Sequence, residues 1–377
     1  MKNRFAAPFI TGNEIKYIKK AINNNVLSGN GQFTNKCIDL LTSITNSKKT
    51  LLTSSCTDAL EMTAILSELK EGDEVIMPSY TFVSTANAFV LRGATPVFVD
   101  VDPITFNIDF NETKKAINSK TKAIVLVHYA GISCDIDLFK ELADENNLLL
   151  IEDAAQALLS RYKNLPLGSI GDMATVSFHE TKNIVCGEGG ALLVNNERFI
   201  DRAEIIWEKG TDRSRFFRGE VNKYGWVDLG SSFLPSEIQA AFLLAQLEQS
   251  QFITDQRKFL WLRYYERLKL VEKKGNFKLP SIPKYCQQNY HLFYVVFDSP
   301  DKRNFCMENL NKKNIKAIFH YIPLHNSSAG LKYGRFLGEL KNTIKISENI
   351  MRLPLHPNLS LTDVDQICDQ IELSLKK

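Results

Sequence analysis

Short apolar runs alternate with segments of helical periodicity between residues 50 and 194. Such runs predict buried strands, whereas apolar residues three or four positions apart predict helices. The predicted strands are Thr50–Thr53, Glu74–Pro78, Pro96–Asp100, Ala123–Val127, Leu148–Asp153, Met173–Phe178 and Ala191–Val194. The predicted helices are Ala59–Glu68, Thr81–Leu91, Phe110–Ile117 and Leu138–Asn146. Continuous apolar strands separated by helices indicate a mainly parallel α/β sheet that is covered on both faces.

Beyond this region the pattern changes to longer helices and isolated strands. From Pro235 to about Leu270 apolar residues recur at helical spacing. The remainder predicts an α+β unit, with strands at Tyr290–Phe297 and Lys316–Tyr321 and helices at Arg303–Lys313, Ile344–Met351 and Asp363–Leu375. We therefore expect an N-terminal arm and helix over residues 1–35, a large domain over 36–250 and a small C-terminal domain over 251–377.

Composition narrows the possible partners of the 377-residue chain. Its 46 Lys and Arg nearly balance its 43 Asp and Glu, and because a nucleic-acid-binding protein usually has a stronger basic excess, we expect no nucleic-acid partner. No apolar run approaches the roughly 18 residues of a membrane-spanning helix, and the first residues lack a secretory pattern. The 7 cysteines form no C-x-x-C pair, which predicts reduced thiols, no metal site and a cytoplasmic location.

A turn of small and hydroxylated residues follows the first predicted strand. Residues Ser54–Asp58 lead directly into the helix predicted from Ala59. The first backbone N–H groups of a helix have no intrahelical acceptor, so this turn is suited to a phosphate. Simple capping by Ser or Thr is the alternative, although capping needs only one such residue.

A lysine, Lys182, lies in a polar turn between two strand-like runs, with Gly187, Gly189 and Gly190 shortly after it. This position allows two roles, a phosphate clamp or the amine that forms a Schiff base with a carbonyl cofactor. The glycines do not form a P-loop, because in that motif the lysine follows them.

The order of residues along the chain favours the Schiff base. The phosphate turn comes first, then Phe82 after a strand, then Asp153 at a strand end, and then Lys182. Pyridoxal phosphate needs donors for its phosphate, an aromatic face for its ring, a carboxylate for its pyridine nitrogen and a lysine for its aldehyde. Ligands of open α/β sheets bind at the carboxyl ends of the strands, so these groups are expected to converge there. The sequence therefore predicts a pyridoxal-phosphate site.

Three motifs carry a resemblance to a known family. Glu152–Gln156, Ser177–Lys182 and Gly187–Gly190 resemble the DegT/DnrJ/EryC1/StrS family. The resemblance covers nearly the whole chain. It implies a fold-type I, pyridoxal-phosphate-dependent aminotransferase that acts on nucleotide-linked keto sugars. It also implies a large domain with a mainly parallel sheet of the seven-stranded type, a smaller α+β domain, and a homodimer with shared active sites.

The resemblance assigns roles to individual residues. Lys182 would carry the Schiff base, Asp153 would pair with the pyridine nitrogen, and Gln156 would touch the side of the ring that bears the hydroxyl. The phosphate would be held by Cys56, Thr57 and Ser177, and Phe82 would stack on the ring.

Two positions depart from the family pattern. Many members carry an Asn that reaches the phosphate bound by the other subunit, and here Ser232 would replace it as a shorter donor. Asp58 stands where small residues are common, and a carboxylate beside a phosphate is unfavourable unless it points away.

The resemblance narrows further to one branch. Residues 77–90, 178–183, 228–232 and 319–325 are similar to the transaminases of enterobacterial common antigen synthesis. Their reaction implies L-glutamate and dTDP-4-dehydro-6-deoxy-D-glucose as substrates. The alternatives are another nucleotide-linked keto sugar, aminated at C3 or with opposite stereochemistry at C4, and a non-catalytic nucleotide-sugar sensor.

Four residues are expected to contact the substrate. His320, Tyr321 and His325 follow a predicted strand, and Arg213 lies in the irregular charged stretch between Glu204 and Lys223. A structural histidine and a solvated loop are the respective alternatives.

Overall fold

A computed structural model describes residues 4–376 of the chain. The helices are α1 (Glu14–Asn23), α2 (Gln32–Thr45), α3 (Cys56–Leu66), α4 (Val83–Val90), α5 (Phe110–Ala116), α6 (Ile136–Glu145), α7 (Ile200–Trp207), α8 (Arg213–Phe217), α9 (Glu237–Glu248), α10 (Ser250–Glu272), α11 (Pro300–Lys312), α12 (Ser328–Tyr333), α13 (Lys341–Asn349) and α14 (Leu361–Ser374). The strands are β1 (Lys49–Thr53), β2 (Glu74–Pro78), β3 (Thr95–Val99), β4 (Thr121–Val127), β5 (Leu149–Asp153), β6 (Arg161–Tyr162), β7 (Leu165–Pro166), β8 (Met173–Ser177), β9 (Gly190–Val194), β10 (Phe277–Lys278), β11 (Cys286–Gln287), β12 (Phe293–Phe297), β13 (Arg335–Phe336) and β14 (Ile350–Leu353).

An 8-stranded sheet in the order β1-β9-β8-β5-β4-β2-β3-β13 forms the centre of the molecule. Strand β9 is antiparallel to both of its neighbours, and the pairs from β8 to β13 are parallel. This architecture confirms the predicted α/β fold. The eighth strand, β13, comes from the C-terminal region and extends the predicted seven-stranded type at its edge.

Both faces of the large sheet are covered. Val75 and Met77 on β2 pack towards α3, α4 and α7, whereas Ile76 between them packs towards α5 and α6. Successive side chains of a strand point to opposite faces, so a strand buried on both sides must be apolar throughout. The continuous apolar runs of the sequence have this physical origin.

A second, 3-stranded sheet in the order β10-β12-β14 lies in the C-terminal part of the chain. Helices α10, α11 and α14 pack on it through a separate apolar core that includes Tyr264, Phe293 and Ile367. One expected element, the strand Lys316–Tyr321, is wrong here, and the helix expected over Ile344–Met351 is present with shifted bounds. The segment Lys316–Tyr321 makes only one bridge, between Ile318 and Arg352, and the helix predicted to Met351 ends at Asn349, after which β14 begins.

The long helix predicted from Pro235 is two helices, α9 and α10, separated at Gln249. The charged stretch after Glu204 contains the short helix α8. Among the described residues, no helix has both the length and the apolar character needed to cross a membrane.

Candidate active site

A cavity of about 580 Å³ lies between the carboxyl ends of the large-sheet strands and the C-terminal sheet. From the large sheet it is lined by residues at the ends of β4, β5 and β8, and by the turn that contains Lys182. From the C-terminal part it is lined by His291, Ile318, His320, Tyr321 and Arg352. The two parts of the chain therefore meet at this cavity.

Backbone and side-chain contacts fix the lysine turn. The N–H of Phe178 donates to the carbonyl of Gly189 at 2.8 Å, and the N–H of Lys182 donates to His179 at 2.9 Å. Next to the lysine, Asn183 donates through Nδ2 to the carbonyl of Asn289 at 2.9 Å and accepts from Nδ1 of His291 at 2.9 Å. These bonds attach the turn to the C-terminal part, so that Lys182 is held in the cavity.

Burial sets the proton affinity of Lys182. Desolvation is the largest influence on its amine and lowers its pKa, and the positive charge of Arg352 acts in the same direction. The negative charge of Asp153 opposes this effect without cancelling it. A larger fraction of Nζ is thus neutral near neutral pH than in a solvated lysine. A neutral amine is the form that acts as nucleophile or proton acceptor.

The carboxylate of Asp153 is only 5% exposed and is held from both of its oxygens. Oδ2 accepts from the hydroxyl of Thr85 at 2.7 Å, and Oδ1 accepts from the N–H of Ala155 at 3.1 Å. The hydroxyl of Thr81 in turn donates to Thr85 at 2.8 Å. This arrangement fixes an acidic group on the cavity wall that can pair with a cationic nitrogen.

The start of α3 forms an anion-binding turn. Ser55 is the N-cap residue and accepts from the N–H of Asp58 at 3.0 Å, whereas the first two helical N–H groups, at Cys56 and Thr57, have no intrahelical acceptor. Gly190 of β9 packs so closely that a Cβ there would lie 2.4 Å from the nitrogen of Cys56. Ser177 is paired with Gly190 across the sheet and also lines the cavity.

The carboxylate of Asp58 points away from this turn. It accepts from the hydroxyl of Ser54 at 2.5 Å, and Asp58 does not line the cavity. The unfavourable contact with a phosphate that its position suggested is thereby avoided.

Gln156 and Phe82 are both neighbours of Tyr321. Gln156 donates through Nε2 to the hydroxyl of Tyr321 at 3.1 Å and accepts from the N–H of Ala130 at 2.7 Å. Phe82 is 56% exposed, and its ring centroid is 6.3 Å from that of Tyr321. Both residues line the cavity, so an exposed aromatic face is available there to a planar ligand.

These groups fit pyridoxal phosphate in chemistry. The first N–H groups of α3, together with Thr57 and Ser177, suit the phosphate. Because Gly190 has no side chain, the backbone of β9 can lie directly against the start of α3. Asp153 suits a protonated pyridine nitrogen, and Lys182 suits the aldehyde. The residues predicted for the cofactor from the sequence therefore line one cavity, with the exception of Ser232.

Three predicted site residues lie outside the cavity. His325 is 3% exposed, and its Nδ1 lies 2.6 Å from the hydroxyl of Ser79, so the expectation that it faces the substrate is wrong for this chain: it packs as a structural histidine. Arg213 pairs with Glu208 at 3.4 Å, and Ser232 is exposed on the loop that follows. Neither residue reaches the cavity of its own chain.

The other predicted substrate residues do line the cavity. His320 has its Nδ1 at 3.1 Å from the hydroxyl of Tyr129, beside Tyr321. Sequence reasoning missed Thr85, His291 and Arg352, which line the same cavity. Arg352 had a usable signal, because a single arginine interrupts the apolar run from Ile350 to Leu355.

Comparisons with known proteins agree with this geometry. The model of the DegT/DnrJ/EryC1/StrS aminotransferase family matches residues 8–372. GDP-perosamine synthase of Escherichia coli O157:H7 is 30% identical over 97% of this chain and 96% of its own length.

Solved structures show the same fold. PseC of Helicobacter pylori, an aminotransferase involved in pseudoaminic acid biosynthesis, is 26% identical with a TM-score of 0.91, and the match covers 100% of both chains. The Spr1654 protein of Streptococcus pneumoniae in its PLP form is 27% identical with a TM-score of 0.91, over 100% of this chain and 99% of that one. The chain therefore belongs to the DegT/DnrJ/EryC1/StrS family and is a pyridoxal-phosphate-dependent sugar aminotransferase.

Proposed function

We propose that the protein transfers the amino group of L-glutamate to C4 of dTDP-4-dehydro-6-deoxy-D-glucose, giving 2-oxoglutarate and dTDP-4-amino-4,6-dideoxy-D-galactose. The observation that supports amino-group transfer is that Lys182, Asp153 and the start of α3 line the same cavity. The choice of this sugar is supported by residues 77–90, 228–232 and 319–325, which resemble the branch that acts on it.

The residues of the chain supply binding and proton transfer. Pyridoxal phosphate, when bound, supplies an electron sink for the pair left when a C–H bond next to the amino nitrogen breaks. Asp153 presents a negative charge that stabilises a protonated ring nitrogen, and Thr85 and the N–H of Ala155 keep that carboxylate in place. Lys182, with its lowered pKa, would accept the proton from the donor carbon at Nζ and would deliver it to the cofactor carbon that takes over the amino group.

A GDP-linked 4-keto sugar is the second candidate substrate. It is favoured by the 30% identity to GDP-perosamine synthase of Escherichia coli O157:H7. The two candidates differ in their nucleotide, so they are separated by supplying the same purified enzyme with dTDP-, UDP- and GDP-linked 4-keto sugars and identifying the amino sugar by NMR.

The test begins with the holoenzyme and L-glutamate alone. We expect the visible absorbance of the bound cofactor to bleach as 2-oxoglutarate forms, and subsequent addition of the keto sugar to restore it. Lys182→Ala should lose turnover by at least about 100-fold, the lower range for a positioned acid–base group. Lys115→Ala, which removes an exposed lysine paired with Glu112, is the matched control. Full turnover by Lys182→Ala would refute the assignment, and sugar binding without a half-reaction would indicate a sensor.

We also propose that the protein is a homodimer with shared active sites. The segment that carries Arg213 and Ser232 exposes large apolar side chains, including Phe217 at 67% and Trp226 at 82%. Clustered exposed aromatic residues are typical of protein–protein interfaces. A second copy would cover them and could bring Ser232 to the cofactor site of its partner.

Two measurements test this arrangement. Light scattering should give the mass of a dimer, and Trp226→Asp should shift it towards the monomer. Leu91→Asp, a substitution at another exposed apolar residue (67%), is the control and should leave the mass unchanged. A dimer that persists in Trp226→Asp would place the interface elsewhere.

A further inference from the structure

The outer side of α10 carries apolar residues that the fold itself does not bury. The inner side of this 23-residue helix packs on the C-terminal sheet through Leu260, Tyr264 and Leu268. The outer side bears four apolar side chains that are between 42% and 67% exposed, namely Phe252, Phe259, Leu262 and Leu270. A surface helix of a globular protein is normally polar on its outer side, so apolar residues on both sides indicate a second packing partner.

Charged residues on the same outer side are arranged symmetrically about Leu262. Asp255 and Lys269 lie seven residues before and after it, and Lys258 and Glu266 lie four residues before and after it. The two members of each pair carry opposite charges, and all four residues are exposed. Because four and seven residues are close to one and two turns of an α-helix, these side chains share one side of α10 with Leu262.

These four charges are almost unused within the chain. In residues 4–376, Asp255, Lys258 and Lys269 form no ion pair, and Glu266 reaches only Arg263, at 3.9 Å. Asp255 accepts a hydrogen bond from the neutral side chain of Gln251 at 2.9 Å. The charges of the outer side are therefore available to pair with charges on another molecule.

The symmetry of the charges indicates which molecule that is. When two copies of a helix pack antiparallel about a two-fold axis, a residue before the central position faces the residue equally far after it in the other copy. With Leu262 at the centre, Asp255 faces Lys269 of the other copy, and Lys258 faces Glu266. A parallel pair would instead bring each charge against its own copy, which is repulsive.

We infer that the outer side of α10 binds α10 of a second copy of this chain, antiparallel and with Leu262 at the two-fold axis. Leu262 then meets its own copy, and Phe252 of one copy lies near Leu270 of the other. Opposite charges pair on both sides of the axis and fix the register. A lipid surface suits these residues less well, because it favours a predominantly basic face, and here acidic and basic residues alternate.

This contact is separate from the proposed dimer with shared active sites, whose exposed residues Phe217 and Trp226 belong to another segment. Two different two-fold contacts on one chain join dimers into tetramers. A single helix face offers less area than the roughly 1,600 Å² of a standard interface, so we expect a weak contact that forms at high protein concentration.

Sedimentation velocity from low micromolar to submillimolar concentration measures the association. We expect the particle of the wild type to double its mass over this range, whatever the mass of the dilute particle. Leu262→Asp should keep the dilute mass throughout, and its kcat should equal that of the wild type, because Leu262 lies outside the cavity. Leu91→Asp, at an exposed leucine of another element, is the control and should still double in mass.

Charge reversal tests the pairing itself. Lys258→Glu brings two acidic side chains together on each side of the axis, so we expect the association to weaken by at least about 10-fold. Combining Lys258→Glu with Glu266→Lys restores opposite charges and should recover the association. Lys313→Glu makes the same change of charge at an exposed lysine that follows α11 and should have no effect.

A single cysteine tests the position of the axis. A residue on a two-fold axis faces its own copy, so a short bis-maleimide should join two chains of Leu262→Cys at high concentration, and far fewer chains of Leu91→Cys or of the wild type. The inference is overturned if the mass of the wild type does not rise with concentration, if the double reversal fails to recover the association, or if Leu262→Cys is joined no better than the controls. Flotation with anionic vesicles that Leu262→Asp abolishes, without self-association, would assign the outer side of α10 to lipid and also overturn it.

Discussion

The hydroxyl of Thr85 donates a hydrogen bond of 2.7 Å to Oδ2 of Asp153. Thr85 lies in α4, and Asp153 ends β5, so the bond connects two elements that are far apart in the chain. It fixes the orientation of the carboxylate that the proposed mechanism uses.

Replacement of Thr85 by valine keeps the shape of the side chain and removes this donor. A hydrogen bond to a charged group contributes about 1.5–3 kcal/mol, so we expect kcat to fall by about 10- to 100-fold while the fold is retained. Steady-state kinetics and far-UV circular dichroism measure the two effects. Thr85→Ser, which keeps the hydroxyl, is the control and should retain most of the activity. Equal rates in Thr85→Val and the wild type would show that the bond does not position Asp153.

A substitution at Gly190 tests whether the close packing at the anion-binding turn is needed to hold the cofactor. A Cβ at this position would lie 2.4 Å from the backbone nitrogen of Cys56, and neither backbone can give way easily. We expect Gly190→Ala to destabilise the protein by about 1–3 kcal/mol, typical of overpacking, and to weaken retention of the cofactor. Thermal unfolding and equilibrium dialysis of pyridoxal phosphate measure both effects. Gly225→Ala is the matched control, because nothing lies within 4 Å of a Cβ there. Comparable values for the two variants would contradict the close packing.

The buried pair of His128 and Glu152 supports the strand end next to Asp153. Glu152 accepts from Nε2 of His128 at 3.0 Å and from the N–H groups of Gly168 and Gly171. We expect Glu152→Gln to lower the free energy of unfolding by about 3–5 kcal/mol, since it leaves buried partners uncompensated. Urea denaturation of the wild type and of Glu152→Gln measures this difference in the free energy of unfolding. Glu112→Gln, at the exposed pair with Lys115, should have no measurable effect.

The same pair predicts a pH dependence. Burial alone would raise the pKa of Glu152, but the hydrogen bonds from His128, Gly171 and Gly168 outweigh it and hold the pKa below its usual value. A carboxyl with a lowered folded-state pKa contributes stability above its unfolded pKa and loses it as pH falls through the folded value. The stability difference between the wild type and Glu152→Gln should therefore shrink on the acid side. A difference that is constant with pH would contradict this.

The amine of Lys182 should titrate at lower pH than an exposed lysine. Burial lowers the pKa of Lys182, whereas the hydrogen bond to Glu112 raises the pKa of Lys115. Carbon-13 NMR of the reductively methylated, cofactor-free protein resolves the two titrations, with Lys182→Arg to assign the signal. Because the charge of Arg352 contributes to the lowering, Arg352→Met should move the midpoint of Lys182 upward. A midpoint of Lys182 at or above that of Lys115 would be inconsistent with a buried amine.

Local pattern determined the large sheet and the main chemical groups. Its strands are apolar throughout because they are buried on both faces, so their positions could be predicted within a few residues. The turn before α3 and the polar turn of Lys182 follow such strands directly, and the carboxyl ends of parallel strands share one edge of the sheet. For that reason the convergence of Cys56, Asp153 and Lys182 could be predicted before the structure was known.

The sequence by itself did not determine which residues of the C-terminal part line the cavity opposite Cys56, Asp153 and Lys182. The apolar positions of 344–353 suit either a helix or a strand, and only pairing with β12 and with Ile318 makes Ile350–Leu353 a strand that carries Arg352 into the cavity. His325 and His320 are close in sequence, yet only the packing of Ser79 decides that His325 is structural. These outcomes depend on contacts between distant parts of the chain, because short strands and single side chains gain most of their stability from tertiary neighbours and little from local propensity.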